Sequence, residues 1–160
     1  MKILKKVICL LFAIGICLLA GYLGSVYTTP AIPTWYAGLQ KPDLTPPSWV
    51  FAPVWTALYI LMGITFYLIL QSNITKGEVF LGLTLFLFQL GLNVSWSYLF
   101  FGWHAIFLAF LCIFGLLAIL LCTILQVSRF SIIGAALLIP YFLWTCFAAY
   151  LNYAIMVLNP

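Results

Sequence analysis

The chain has 160 residues, of which 67% are hydrophobic and 5% are charged. A soluble globular domain carries several times that share of charged side chains, so the composition excludes a water-soluble globule and predicts an integral membrane protein. The net charge of +4 comes from six scattered lysines and arginines, which form no basic patch and therefore give no basis for nucleic-acid binding.

Five apolar stretches follow one another along the chain, at about residues 3–26, 49–70, 79–100, 105–127 and 131–158. Each is long enough to cross a ~30 Å hydrocarbon core as a helix, which takes roughly 20 residues. None shows the strict apolar–polar alternation, in segments of about ten residues, that the strands of a membrane barrel need. The sequence therefore predicts an all-α integral membrane protein, a five-transmembrane-helix bundle in a single domain over residues 1–160.

The first stretch follows a basic segment, as a secretory signal does, but it is too long and lacks a small-residue cleavage site, so we interpret it as a retained helix. Basic residues are enriched on the cytoplasmic side of membrane proteins. The five-helix layout puts Lys41 on one side of the membrane, and it puts the other basic residues on the opposite side: Lys2, Lys5, Lys6, Lys76 and Arg129. This distribution predicts a cytoplasmic N-terminus, with the first loop and the C-terminus external.

The first loop, residues 27–48, differs from the others in length and composition. It holds five of the eight prolines, which stiffen it by fixing φ, and Trp35, Tyr36 and Leu39 argue against disorder. We therefore interpret it as a lid. The later loops, at about 71–78, 101–104 and 128–130, are short, which predicts that consecutive helices pack as antiparallel neighbours.

Amide and aromatic side chains recur at helical spacing on three of the predicted helices. A side-chain amide in hydrocarbon needs a partner, so Gln89, Asn93 and Asn152 are expected to face the bundle interior. Two interpretations stay open for these amides: hydrogen bonds that hold helices together, or a ligand site shared by several helices. The three faces comprise Trp55 and Tyr59; Gln89, Asn93, Trp96 and Ser97; and Tyr141, Trp144, Thr145, Ala148 and Asn152.

The tryptophans also have two interpretations. Trp35, Trp49 and Trp103 lie near predicted helix ends, where an aromatic belt at the headgroup level explains them as well as a ligand site does. Trp144 lies roughly 20 Å along the fifth helix at 1.5 Å per residue, which favours a ligand site.

The residues that would support catalysis or proton coupling are missing from the predicted spans. No ionisable residue lies in the middle of a span, which disfavours a proton-driven pump. Asp43 and Glu78 fall on opposite sides of the membrane, His104 is a loop residue, and no nucleophile has a recognisable base. The five cysteines show no metal-ligand spacing. The sequence therefore predicts no catalytic residue, no metal site and no required cofactor, and favours a binding protein over an enzyme.

Three long segments resemble the translocator-protein family, also called tryptophan-rich sensory proteins or peripheral-type benzodiazepine receptors. They are TWYAGLQKPDLTPPSWVFAPVWTALYILMG at 34–63, QLGLNVSWSYLFFG at 89–102 and PYFLWTCFAAYLN at 140–152. With the five-helix layout, the resemblance covers nearly the whole chain.

The resemblance implies a membrane bundle, usually a homodimer in contact with lipid, in which the first loop closes a pocket for porphyrins such as protoporphyrin IX or heme and for hydrophobic drug-like ligands. It implies a bacterial member of the family, because the C-terminus is short and the basic residue of the animal cholesterol pattern is missing after Tyr153. The ligand-binding residues that it implies are Ser25, Tyr36, Trp55, Asn93, Trp96, Trp144 and Ala148.

Three functions remain open at this stage. The first is a porphyrin-binding receptor or sensor, which suits a pocket without catalytic groups. The second is light- and oxygen-dependent porphyrin breakdown, with Trp55 and Trp144 as redox-active rings. The third is transport of porphyrin or another lipophile, which Pro140 and a mobile loop would support. For the dimer, Gly82, Ala105 and Ala109 offer small surfaces for close helix contact.

Overall fold

The computed structural model describes residues 2–73 and 75–160. Met1 and Ile74, which belong to the predicted domain, lie outside the described residues. Within those residues every regular element is helical, and five helices are long and apolar enough to cross a membrane. The predicted all-α, five-helix architecture is therefore confirmed. The helices are α1 (Lys2–Ala31), α2 (Phe51–Leu70), α3 (Lys76–Ser97), α4 (Ile106–Ser128) and α5 (Ile132–Leu158).

The helices form a closed ring in the spatial order α1, α2, α5, α4, α3. The short turn after α2 leads into α3, yet these two helices contact each other less extensively than they contact their other neighbours. The expectation that every consecutive pair packs closely is therefore wrong at this turn. Phe66 of α2 and Phe86 of α3 stack with ring centroids 5.0 Å apart, and such bulky rings at a contact increase the spacing between helix axes.

α1 continues five residues beyond its predicted end and includes Pro30. Pro30 lacks the N–H that a helical residue would donate, and the helix ends at the next residue, Ala31. The turn is held by Thr28, whose hydroxyl donates to the Gly24 carbonyl (3.1 Å), and by Tyr27, whose ring packs edge-on against Tyr98 at 4.8 Å. The first loop is consequently shorter than predicted, and we call residues 32–47 the lid.

α3 begins three residues earlier than predicted and ends three residues earlier. Its start is fixed by a capping box: the Thr75 hydroxyl accepts a bond from the Glu78 N–H (3.4 Å) and donates to the Glu78 carboxylate (3.1 Å). Its end passes into a π turn at Tyr98–Gly102. The predicted start of α2 is replaced by a 3₁₀ turn at Ser48–Val50, whereas α4 and α5 agree with prediction to within one residue. α5 stays helical through Pro140, whose side chain is exposed.

Glycines let α1 and α2 approach closely. A Cβ on Gly63 would lie 2.5 Å from the Ile14 Cα, and a Cβ on Gly21 would lie 2.5 Å from the Tyr59 ring. Other small residues are also used inside the bundle: Gly82 faces Phe130, and Ala109 is fully buried. The suggestion that Gly82 and Ala109 offer a surface to a second copy is therefore wrong, because neighbouring helices of the same chain already cover them.

Candidate functional site

A cavity of about 340 Å³ lies beneath the lid, between α1, α2, α3 and α5. Aromatic rings make up much of its wall, and aliphatic and hydroxyl side chains make up the rest. No Lys, Arg, Asp, Glu or His is in the wall as far as the described residues define it. The rings that line it come from Tyr22, Tyr36, Phe51, Trp55, Tyr59, Trp96, Phe100, Phe101 and Trp144.

The lid is held over the cavity by ring contacts. Trp35 stacks on His104 with centroids 4.1 Å apart and packs edge-on against Phe100 at 5.5 Å. Tyr36 is 6% exposed and packs 5.7 Å from Phe101. Burial raises the pKa of the Tyr36 phenol, so its hydroxyl stays protonated and can donate a hydrogen bond.

The lid also carries the nearest cation, but Lys41 is turned back on the loop. Its Nζ donates to the Tyr36 carbonyl (2.7 Å) and the Leu39 carbonyl (2.9 Å), and it lies 4.9 Å from the centroid of the Tyr36 ring. These contacts fix the turn that presents Tyr36 to the cavity. The Lys41 ammonium group therefore bonds within the lid, and Lys41 is not among the residues of the cavity wall.

Two of the cavity tryptophans, Trp96 and Trp144, differ in their hydrogen bonding. Trp96 donates its indole N–H to the Asn152 Oδ1 (3.0 Å), and Asn152 in turn donates to the Ile106 carbonyl (3.1 Å). This chain of bonds fixes the Trp96 ring, which also stacks on Phe100 at 5.4 Å. In contrast, the Trp144 Nε1 is buried and has no partner among the described residues. An unpaired buried donor is costly. Because the Nε1 atom is shut off from the cavity as well as from solvent, a ligand could accept from it only after the ring had moved.

Several hydroxyl groups of the wall already donate elsewhere. Ser25, Thr28 and Thr56 bond the carbonyls of Tyr22 (2.8 Å), Gly24 (3.1 Å) and Ala52 (2.8 Å). Each of them therefore keeps only acceptor capacity toward a ligand. The phenol of Tyr36 is in the wall and remains a donor that could orient one.

Six of the seven residues implied by the resemblance lie in the cavity wall: Ser25, Tyr36, Trp55, Trp96, Trp144 and Ala148. The structure places the seventh, Asn93, behind the wall. Asn93 is 2% exposed and accepts a bond from the Tyr59 hydroxyl (2.5 Å) while donating to the Tyr141 hydroxyl (2.9 Å). Its hydrogen bonds join three helices, which is the interhelical interpretation that the sequence left open.

The other predicted amides also face inward, as expected. Asn152 is in the cavity wall and 1% exposed, whereas Gln89 is fully buried outside it. Both polar side-chain atoms of Gln89 lack a partner among the described residues, so no observed bond supports an interhelical role for it.

Sequence reasoning missed several wall residues because they are ordinary apolar side chains. Leu151 and Ile155 are examples, and nothing in their spacing separates them from core positions. Two glycines three residues apart, Gly21 and Gly24, did offer a signal of close helix approach. A Cβ on Gly24 would lie 3.1 Å from the Ser97 hydroxyl, and both glycines are in the second half of α1, which lies against the cavity.

One side of the cavity is formed by exposed residues of α1 and α2. Tyr22 is 65% exposed and Leu18 is 38% exposed, and Ser25, Thr29 and Thr56 are also exposed wall residues. The tight contact at Gly63 holds the two helices together farther from the lid. The gap between α1 and α2 is therefore the open side of the cavity.

Comparison with known proteins agrees with this architecture. The model of the TspO/MBR family matches residues 13–158. The chain is 40% identical to the tryptophan-rich protein TspO of Chlorobaculum tepidum over 98% of this chain and 99% of the relative. It is 39% identical to the protein of the same name in Archaeoglobus fulgidus, over 99% of both chains. It is 39% identical to the translocator protein of Ovis aries, over 83% of this chain and 79% of the relative.

The match extends over all five helices and the lid, and therefore over every element that forms the cavity. The chain belongs to the TspO/MBR family and is an integral multi-pass membrane protein.

Proposed function

We propose that this protein is a membrane receptor or sensor that binds porphyrins and other flat hydrophobic molecules in the cavity beneath the lid. Membership of the TspO/MBR family supports a membrane sensor or receptor role. The observation that carries the proposal is the uncharged aromatic wall of the cavity.

The wall suits a flat aromatic ligand for two reasons. Indole and phenyl faces stack on such rings and gain both buried apolar area and ring–ring attraction. The volume of about 340 Å³ falls near the lower end of the range of roughly 300–1,000 Å³ in which ligand sites lie. A small drug-like molecule would fit within it, and the edge of a larger macrocycle would extend through the gap between α1 and α2.

The polar groups would orient the ligand. Tyr36 on the lid offers a hydroxyl donor at the cavity, so a ligand that accepts from it would help to hold the lid closed. The fixed ring of Trp96 would supply a flat stacking surface between the helices, since its own N–H is already bonded.

The first test is a titration of the detergent-purified protein with protoporphyrin IX in the dark, followed by the Soret absorbance and by tryptophan fluorescence. We expect saturable binding. Trp144→Phe reduces the aromatic surface that this residue gives to the wall, and should weaken binding about fivefold, the effect of losing ring contacts worth about 1 kcal/mol. Trp49→Phe is the matched control, because Trp49 is 75% exposed and is not among the wall residues. A folded protein without saturable binding would refute the proposal.

The same samples test a second function, light- and oxygen-dependent porphyrin breakdown. It is favoured by the position of Trp55, which shares the cavity with Trp144 and lies 5.7 Å from the Tyr59 ring and 6.2 Å from the Tyr141 ring. Such closely spaced rings would allow an oxidised Trp55 to be reduced again. Illumination in air should then bleach bound porphyrin in the wild-type protein. Unchanged bleaching in both Trp55→Phe and Trp144→Phe would exclude this role for the two rings.

We further propose that the protein lies in a bacterial cell membrane with the lid end external and the N-terminus cytoplasmic. Contacts support the grouping of the basic loops at one end. The Gln126 Nε2 of α4 donates to the Glu78 carbonyl of α3 (3.3 Å), and the Gln71 Nε2 after α2 lies 3.8 Å from the Cys9 Sγ of α1. The homodimer that the resemblance implies stays a prediction.

A further inference from the structure

We propose that Asn159, beyond the last helix, is a latch that holds the lid to α5 and sets the rate at which a ligand enters and leaves the cavity. The latch itself rests on hydrogen bonds in the structure. Its effect on ligand exchange rests also on the proposed function.

The latch consists of a side-chain amide that pairs with the backbone N–H and C=O of one lid residue. The Gln40 N–H donates to the Asn159 Oδ1 (3.0 Å), and the Asn159 Nδ2 donates to the Gln40 carbonyl (2.9 Å). This is the exchange of two N–H···O bonds that a residue pair makes in an antiparallel ladder. It joins residues 119 positions apart, so it closes the lid onto the far end of the chain.

Asn159 is itself fixed to α5. Its backbone N–H donates to the Ile155 carbonyl (3.0 Å), and its Nδ2 donates to the same carbonyl (2.8 Å). The helix that it ends carries Trp144, Ala148 and Ile155 in the cavity wall. The lid is therefore attached to a helix that forms part of the cavity wall.

Within the lid, Gln40 lies next to the turn that presents Tyr36. Lys41 holds that turn in shape through the Tyr36 and Leu39 carbonyls. A displacement of Gln40 away from α5 would therefore move the turn as a unit and draw Tyr36 off the cavity. Lys41 therefore maintains the conformation of the lid, and Asn159 maintains the position of the lid against α5.

The two hydrogen bonds between Asn159 and Gln40 are expected to break easily. Its bonds to Gln40 lie at the exposed surface, where water competes for both partners and the net gain from each bond is small. Loops held by exposed bonds open locally at low free-energy cost. In contrast, the remaining lid contacts are buried rings such as Tyr36 and Phe100. Loss of the latch should therefore raise the frequency of opening without unfolding the bundle.

The first experiment measures amide hydrogen exchange in the ligand-free full chain, wild type against Asn159→Ala. We expect exchange at Gln40 and in the Tyr36–Gly38 turn to rise about tenfold, the size expected for one or two lost hydrogen bonds. Exchange at Ala149 and Leu151 in α5, and the thermal midpoint, should stay the same. The matched control is Asn73→Ala, which makes the same substitution in the loop at the other end of the bundle. Unchanged protection at Gln40 would overturn the latch.

The second experiment measures protoporphyrin IX dissociation from the same proteins by stopped flow. We expect an increase of about tenfold in the dissociation rate for Asn159→Ala, and none for Asn73→Ala. Faster exchange at Gln40 with an unchanged dissociation rate would overturn the gating role. If the wild-type protein binds no protoporphyrin, the proposed function fails, whereas the exchange experiment still decides whether Asn159 holds the lid.

Discussion

At the scale of single residues, Asn93 shows what one amide does inside this bundle. It accepts from Tyr59 and donates to Tyr141, and thereby joins α2, α3 and α5 directly behind the cavity wall. Tyr59 is both a partner of Asn93 and a wall residue. The amide therefore acts on the site indirectly, by fixing a ring that a ligand would touch.

This arrangement predicts a loss of stability when Asn93 is replaced. Asn93→Leu removes the partner of two buried phenols, each of which then lacks a bond, and should lower the free energy of unfolding by about 1–3 kcal/mol. Titration with SDS, followed by circular dichroism, measures the change. A double-mutant cycle with Tyr59→Phe should show coupling, since the two changes remove the same bond. Unchanged stability together with a large loss of porphyrin affinity would instead mean that Asn93 contacts the ligand directly.

At the scale of helices and loops, hydropathy predicts the five spans well but misplaces the end of α1 and both ends of α3. The start of α3 depends on the Thr75–Glu78 capping box, and the end of α1 depends on the packing of Tyr27 against Tyr98. Neither contact is visible in a window of apolar residues. A short turn also does not ensure close packing of the helices that it joins. The rings of Phe66 and Phe86 lie between α2 and α3.

The candidate site was predictable to the extent that it follows helical spacing. Trp55, Trp96, Trp144 and Ala148 lie on inward faces, and the structure brings them to one cavity. Spacing does not separate the wall from the layer behind it, which is why Asn93 was grouped with the wall. The latch was beyond sequence reasoning altogether, because it joins the lid to the C-terminus through tertiary structure.

The close contact between α1 and α2 gives a prediction for an element. A Cβ on Gly63 would lie 2.5 Å from a backbone atom of Ile14, so the helices must separate in Gly63→Ala. We expect a loss of about 1–3 kcal/mol, as for other overpacked sites, measured by SDS titration. Gly15→Ala is the matched control: nothing lies within 4 Å of its Cβ position, and alanine favours a helix by up to about 1 kcal/mol. Equal effects of the two substitutions would contradict this account of the contact.

At the scale of the whole molecule, the two ends of the bundle differ in packing. At the end that carries the basic loops, polar side chains bond across helices, as Thr65 does to the Gly134 carbonyl (3.0 Å), and Phe130 packs against Gly82. At the lid end the helices surround a cavity that opens between α1 and α2. Interhelical hydrogen bonds also occur near the lid, from Trp96 to Asn152 and from Asn152 to the Ile106 carbonyl. The end with the basic loops, which we call the packed end, therefore differs from the lid end in that the cavity lies at the lid end.

The distribution of charge predicts which end faces the cytoplasm. Lys5, Lys6, Lys76 and Arg129 belong to the packed end, whereas Lys41 belongs to the lid. Since short basic loops are retained in the cytoplasm, the lid end should face the external side, where the C-terminus and the latch also lie. The measurement uses the chain expressed in a bacterial host with a reporter fused to its C-terminus, and records the activity of that reporter. We expect an active alkaline phosphatase fusion and a dark green-fluorescent-protein fusion, because each reporter folds on one side only. A fluorescent fusion at the N-terminus is the control. The reverse pattern at the C-terminus would place the lid in the cytoplasm, and a ligand would then have to reach it from inside the cell.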